Sequence, residues 1–115
     1  MINKLTNNLN AIKKLTEEGK ISWEKNNDET FFWKTKDKNG IRVNIIIRIM
    51  HNPFENLTQY LFRVYQPERE LIKQDIILGY DELGFNELKS LYNFVTTKHK
   101  QGDQDYLSDL IGGIE

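Results

Sequence analysis

The chain contains 115 residues, of which 16 are basic and 17 are acidic, and it has no cysteine. This length is typical of one domain with one core, so we predict a single globular domain over residues 1–115. The balanced charge argues against a general polyanion binder, and the lack of cysteine excludes disulfides, thiolate metal sites and cysteine nucleophiles. No apolar run reaches the roughly 20 residues of a membrane helix, and the N-terminus has no apolar signal segment. We therefore expect a cytoplasmic protein without a membrane partner.

An amphipathic helix is predicted over residues 3–18. Its apolar side chains recur at spacings of four, three and three, and they are Leu5, Leu9, Ile12 and Leu15. Such spacing places them on one stripe, which we expect to pack on a sheet. Gly19 follows the last turn and can adopt the left-handed conformation that ends many helices.

Three strands are predicted next, over residues 21–25, 30–36 and 41–50, with short polar turns between them. The second turn ends in Asn39-Gly40, a strong hairpin signal because both residue types tolerate positive φ. Short turns join neighbouring antiparallel strands, so these segments should form a meander.

The third of these strands has the clearest alternation and should lie at the centre of the sheet. Its odd positions are all apolar and β-branched, namely Ile41, Val43, Ile45, Ile47 and Ile49. Its even positions are mixed, namely Arg42, Asn44, Ile46, Arg48 and Met50. Successive side chains of a strand point to opposite faces, so one face of the sheet should be buried under helices and the other should be mixed.

A fourth strand is predicted over residues 59–66, after an irregular connection that contains Pro53. Residues 70–78 are predicted as a fifth strand, and the charges of Lys73 and Asp75 suit a position at the sheet edge. The alternation in this last segment is less regular, so a short helix is the alternative.

Two helices are predicted at the C-terminal end of the chain. The first runs from Asn86 to about Lys100, Gly102 breaks it, and Asp103 caps the second. The predicted fold class is therefore α+β, with one antiparallel meander sheet of four or five strands, one N-terminal helix and two C-terminal helices packed on it. The predicted core residues are Leu9, Ile12, Trp23, Val43, Ile45, Ile47, Phe62, Leu88, Leu91 and Leu110.

The residue pattern contains no convincing catalytic or metal-binding set. His51 would need a carboxylate such as that of Glu55 beside it to act as a general base, and a surface histidine is the simpler interpretation. His99 lies at a predicted helix end, where a cation suits the helix dipole. The acidic residues near the C-terminus do not match calcium-loop spacing, and they are Asp103, Asp105, Asp109 and Glu115. We predict no enzymatic activity, no metal and no cofactor.

The mixed face of the sheet is the best candidate for function. Its predicted binding residues combine aromatic, apolar and basic side chains, and they are Trp33, Lys34, Arg42, Ile46, Arg48, Met50 and Arg63. Arginine and aromatic residues are enriched in protein interfaces. This mixture predicts a small non-enzymatic protein-interaction module of the immunity, adaptor or regulator type, which binds another protein or forms a homodimer. The alternative is a single-stranded nucleic-acid-binding protein, because bases stack on aromatic rings and phosphates pair with basic side chains. The last predicted helix could instead cover this face, which would make its apolar residues ordinary core.

Overall fold

The computed structural model describes residues 4–55 and 57–114. Within them, five strands form one antiparallel sheet, and two α-helices pack on one of its faces. The elements in chain order are α1 (Lys4–Glu17), β1 (Glu24–Asn27), β2 (Thr30–Lys36), β3 (Arg42–Asn52), β4 (Leu57–Gln66), a single 3₁₀ turn (Pro67–Arg69), β5 (Leu71–Leu78) and α2 (Phe85–Ile114). The predicted α+β fold with an N-terminal helix and an antiparallel sheet is confirmed.

Each strand of the sheet pairs with the strand that follows it in the chain, so the spatial order is β1-β2-β3-β4-β5. At the centre, Phe31 of β2 lies opposite Ile47 of β3, which in turn lies opposite Phe62 of β4. The predicted meander is thus confirmed. Residues Leu71–Leu78 form the edge strand β5, and the alternative of a helix for this segment was wrong.

The core lies between the helices and the face of β3 that carries its β-branched residues. Ile47 of β3, Leu9 of α1, and Leu88 and Leu91 of α2 are fully enclosed in this layer. The predicted core residues that are buried are Leu9, Trp23, Val43, Ile45, Ile47, Phe62, Leu88 and Leu91. Ile12 is partly buried against the same cluster. The two-residue period of β3 therefore determines which side of the sheet the helices cover.

One long helix, α2, occupies the C-terminal region where two helices were predicted. Gly102 and Asp103 lie inside it, so Gly102 does not break the helix and Asp103 does not cap another. A glycine in a helix interior costs only about 1 kcal/mol relative to alanine, too little to stop a helix that propagates from a packed first half. Leu110 is consequently 50% exposed, and its assignment to the core was wrong. No described helix combines the length and the apolar character that crossing a membrane requires.

Two buried tyrosines on the helix side of the sheet make stability sensitive to alkaline pH. Burial raises the pKa of Tyr60, and burial together with the nearby charge of Glu29 raises the pKa of Tyr92. In an unfolded chain a tyrosine titrates near pH 10. The stability that these two groups contribute is complete below about pH 10 and is lost as the pH rises through the folded-state pKa.

We therefore expect Tyr60→Phe to reduce the loss of unfolding free energy between about pH 9 and pH 11 relative to the wild type. Urea denaturation followed by tryptophan fluorescence measures this slope. Tyr106→Phe is the matched control, because Tyr106 is 67% exposed, and it should keep the wild-type slope. An unchanged slope for Tyr60→Phe would show that its hydroxyl does not resist ionisation in the folded protein.

Candidate binding face

We call the surface of the sheet that points away from both helices the open face. The strand register determines its members, which include Phe32, Lys34 and Lys36 of β2, Arg42, Asn44, Ile46, Arg48 and Met50 of β3, Gln59, Leu61, Arg63 and Tyr65 of β4, and Ile72, Asp75 and Ile77 of β5. The core cluster includes residues of both helices and none of these. Within the described chain, the helices therefore leave this face uncovered.

Apolar residues form a continuous band across the open face. Phe32 lies opposite Ile46, and Leu61 lies opposite Ile77. Ile46 and Leu61 are diagonal neighbours on β3 and β4, a separation that long side chains bridge. Leu61 is only 6% exposed although it is outside the core cluster, whereas Ile72 and Ile77 at the β5 edge are 47% and 44% exposed. We call Phe32, Ile46, Leu61 and Ile77 the apolar centre.

Ion pairs surround the apolar centre. They join Lys34 Nζ to Glu24 Oε2 at 3.8 Å, Arg42 Nε to Glu68 Oε1 at 3.3 Å, Arg48 Nη2 to Glu29 Oε2 at 3.7 Å, and Arg63 Nη2 to Asp75 Oδ2 at 3.0 Å. Such partly exposed pairs each contribute about 0–1 kcal/mol to stability. Their main consequence is electrostatic, because most of the positive charge predicted for this face is already balanced by carboxylates.

The pair between Arg63 and Asp75 has the best geometry of these. Arg63 donates through Nε at 3.2 Å and through Nη2 at 3.0 Å to the two carboxylate oxygens of Asp75. The two residues lie directly opposite each other on β4 and β5. A two-point contact of this kind holds both side chains in one orientation beside the apolar centre.

Of the predicted binding residues, the structure brings six together on the open face and places Trp33 elsewhere. The six are Lys34, Arg42, Ile46, Arg48, Met50 and Arg63. Trp33 lies opposite Ile45 on the helix-covered face, where its ring centroid is 6.1 Å from that of Trp23. Its predicted place on the mixed face was wrong, because Phe32 is the β2 aromatic residue whose position in the register faces outward.

A cavity of about 450 Å³ opens at one corner of the open face. Its lining includes three basic residues, Lys34, Lys36 and Arg42, together with Asn44 and Pro67. Among the described residues, Lys36 forms no ion pair. This basic corner is therefore the part of the face with the least compensated positive charge.

Neither histidine forms a catalytic arrangement with a described carboxylate. His51 is exposed near the end of β3, and its Nδ1 lies 3.4 Å from Thr58 Oγ1. His99 lies in the middle of α2, where Nε2 donates to the backbone carbonyl of Trp23 at 2.7 Å and the ring lies 5.0 Å from that of Phe31. The predicted position of His99 at a helix end was wrong, since His99 lies inside α2 and joins this helix to the start of the sheet.

The acidic residues near the C-terminus do not assemble a metal site in the part of the chain that the structure describes. Asp103, Asp105 and Asp109 lie along the second half of α2. Glu115, the fourth predicted member, is outside the described residues. Asp103, Asp105 and Asp109 therefore contribute surface charge within a helix and do not lie in its first turn.

Sequence reasoning missed the acidic partners of the basic side chains and the outward isoleucines of β5. Asp75 and Ile77 alternate with Ile76 and Leu78, which is a usable signal once this segment is taken as a strand.

Compared with protein-family models, with curated proteins and with solved structures, the chain matches none.

Proposed function

We propose that the protein is a small non-enzymatic protein-interaction module, of the immunity, adaptor or regulator type, that binds a partner or a second copy of itself through the open face. The apolar centre carries this proposal, since Phe32 and Ile46 are partly exposed and Ile77 is 44% exposed on a sheet surface that no described helix covers, with the buried Leu61 between them. Contiguous apolar surface on the outside of a domain is typical of interaction sites.

The residues around the apolar centre support the same interpretation. Ion pairs such as Arg63–Asp75 are satisfied within the chain, so a partner can cover the band without supplying compensating charges. An apolar centre within a polar rim is the usual anatomy of a protein interface. Burying the exposed halves of Ile72 and Ile77 would contribute about 1 kcal/mol each, and aromatic and arginine contacts would add to this.

Single-strand nucleic-acid binding is the second candidate, and the basic corner favours it. Lys34, Lys36 and Arg42 line one cavity, and Phe32 on the same strand could stack against a base. A phosphate would have to compete with Glu24 and Glu68 for two of these cations. That competition makes the nucleic-acid proposal the weaker of the two.

The test compares the wild type with Ile46→Asp and Ile77→Asp in affinity capture and in sedimentation velocity. We expect each substitution to weaken the affinity for the captured partner, or for a second copy, at least tenfold, because each places a charge in the apolar centre. Phe54→Asp is the matched control, since Phe54 is 96% exposed outside this face, and it should behave as the wild type. A chain that neither captures a partner nor self-associates in an Ile46-dependent way contradicts the proposal.

Oligonucleotide binding is measured separately by fluorescence anisotropy of a labelled single strand at two salt concentrations. Nucleic-acid binding requires an affinity that falls steeply with salt and that Lys36→Glu weakens, because counterion release drives it. Binding that shows both properties would favour the second candidate over the first.

A further inference from the structure

A groove of about 550 Å³ lies between α1 and the helix-covered face of the sheet. Its floor includes a row of side chains that crosses four strands, namely Trp33 of β2, Ile45 of β3, Val64 of β4 and Gln74 of β5. Its wall is one side of α1, on which residues recur at spacings of four, three and four, namely Lys4, Asn8, Ala11 and Leu15. We call this feature the α1 groove.

The described chain leaves the apolar lining of the α1 groove partly exposed. Six of its apolar residues are only partly buried against the core cluster, and five of these six line the groove, namely Leu5, Ile12, Trp33, Val64 and Ile76. Leu15 on the wall is 37% exposed. None of the described residues that line the groove belongs to α2, so the second helix does not fill it. A ligand with an apolar chain would therefore be stabilised by displacing water from these side chains.

The two ends of the groove lie at different strands, because α1 crosses the sheet from β5 towards β2. At the start of α1, Leu5 Cδ2 and Leu78 Cδ1 of β5 lie so close together that a Cβ on Gly84 would be 3.2 Å from each. Near the end of α1, Thr16 Oγ1 accepts a hydrogen bond from Trp23 Nε1 at 3.0 Å. The indole of Trp23 in turn packs beside the tryptophan of β2.

The β5 end of the α1 groove is polar and its β2 end is apolar. Lys4 and Asn8 lie one helical turn apart at the β5 end, where Gln74 also lines the groove, whereas Leu15 and Trp33 line the other end. Lys4 is the one charged residue among the described lining residues, and it forms no ion pair with another described residue. One cation and two amides suit a carboxylate, because ammonium and amide N–H groups donate to its oxygens.

We propose that the α1 groove binds a fatty acid, with its carboxylate at Lys4, Asn8 and Gln74 and its chain directed towards Trp33. The wall from Lys4 to Leu15 is about 17 Å long at 1.5 Å per residue, and β2 and β5 lie about 14 Å apart across the sheet. An extended dodecanoate chain has a similar length. The groove lies on the opposite side of the sheet from the open face, so this inference does not depend on the proposed protein interaction.

The volume of the α1 groove favours a single aliphatic chain over a partner helix. The sites of small molecules usually measure about 300–1,000 Å³, and the groove falls in this range. A helix of the same length, with a diameter of about 10–12 Å, would occupy at least about 1,300 Å³. More than half of such a helix would remain outside the groove, whereas a fatty acid chain would be enclosed along its length.

The first experiment is isothermal titration calorimetry of the full chain with unbranched carboxylates below their micelle concentrations. From octanoate to dodecanoate, we expect the affinity to rise about two- to fourfold for each added methylene, since full burial of one methylene contributes about fourfold. The affinity should stop rising for chains longer than the groove. Dodecylammonium has the same chain with the opposite charge, and it should bind at least about fivefold more weakly than dodecanoate, because Lys4 repels it.

Two substitutions on α1 test the two parts of the site separately. Ala11 is an exposed residue of the wall, so Ala11→Phe fills the groove without entering the core, and the affinity for dodecanoate should fall at least about tenfold. Lys4→Gln should weaken dodecanoate about fivefold and should not weaken dodecylammonium. Asn10→Phe and Lys14→Gln are the matched controls, since both residues are exposed on α1 outside the groove, and both variants should keep the wild-type affinity.

Circular dichroism first shows that each variant keeps the wild-type helix content. A wild type that does not bind dodecanoate, or an Ala11→Phe variant that binds it as tightly, overturns the inference. Equal affinities for dodecanoate and dodecylammonium overturn the assignment of a carboxylate to the polar end. Self-association that Ala11→Phe abolishes, without dodecanoate binding, would assign the groove to a second copy instead.

One further variant separates this site from the open face. Ile77→Asp places a charge on the open face and should leave dodecanoate binding unchanged, whereas a loss of binding in this variant would overturn the inference by locating the ligand there. The proposed protein interaction is measured through Ile46→Asp and not through Ala11→Phe. Each proposal can therefore fail while the other holds.

Discussion

Replacing Phe31 by alanine should lower the free energy of unfolding by about 3–5 kcal/mol, the usual cost of deleting a buried phenyl ring. Phe31 is 2% exposed and lies opposite Ile47 in the centre of the sheet. Its ring is 5.8 Å from that of Tyr92, in an edge-to-face arrangement, and 5.0 Å from that of His99. The ring therefore connects the sheet to two turns of α2, and its removal would leave a cavity between them.

The control for this experiment is the next residue in the chain. Phe32→Ala removes the same ring from the open face, where the side chain is only half-buried, so it should cost about 1 kcal/mol. Urea denaturation followed by the fluorescence of Trp23 and Trp33 measures both variants. Equal losses of stability would contradict the register that turns Phe31 inward. Phe32→Ala should in turn weaken the binding proposed for the open face, and Phe31→Ala should affect it only through stability.

Most of the fold follows from local patterns. The alternation of Val43, Ile45 and Ile47 identifies both the central strand and its buried face, since one period describes both. Short polar turns before and after β2 make its neighbours in sequence its neighbours in space. The meander and the side on which the helices lie could therefore be predicted without knowledge of any long-range contact.

The orientation of β2 could not be predicted in the same way. Phe31, Phe32 and Trp33 are consecutive and all aromatic, so hydrophobic periodicity does not distinguish the two faces of this strand. Pairing with β3 makes the choice, because Phe31 lies opposite Ile47 and Trp33 opposite Ile45. The correct membership of the open face depends on this register, which is a tertiary property.

The length of α2 could not be predicted either, for a related reason. Gly102 followed by Asp103 resembles the end of one helix and the cap of another, and both signals are local. The cost of a glycine inside a helix and the stabilisation by a cap residue are each about 1 kcal/mol. A helix that is already nucleated by the buried Leu88 and Leu91 can offset free energies of this size. The exposed second half of α2, and with it the exposed position of Leu110, follows from this small difference.

Gly84→Ala is the second substitution with a large expected effect, a loss of about 2–4 kcal/mol in unfolding free energy. Gly84 is buried and has a φ of 92°, a backbone conformation that a residue with a Cβ adopts at a cost of about 1–2 kcal/mol. Its carbonyl accepts the hydrogen bond from Leu88 N at 2.9 Å at the start of α2. The backbone here cannot relax to another conformation without disturbing that helix start.

Crowding adds to this cost. A Cβ at Gly84 would lie 3.2 Å from Leu5 Cδ2 and 3.2 Å from Leu78 Cδ1, where α1, β5 and α2 converge. Leu78 is buried and has little room to move, so we expect about 1–2 kcal/mol beyond the backbone strain. Gly40→Ala isolates the strain, because Gly40 has a φ of 79° and a Cβ there would meet no atom within 4 Å. The difference between the two variants in urea denaturation measures the crowding alone. If Gly84→Ala costs no more than Gly40→Ala, the side chains of Leu5 and Leu78 move aside without cost, and the expected crowding at this junction is contradicted.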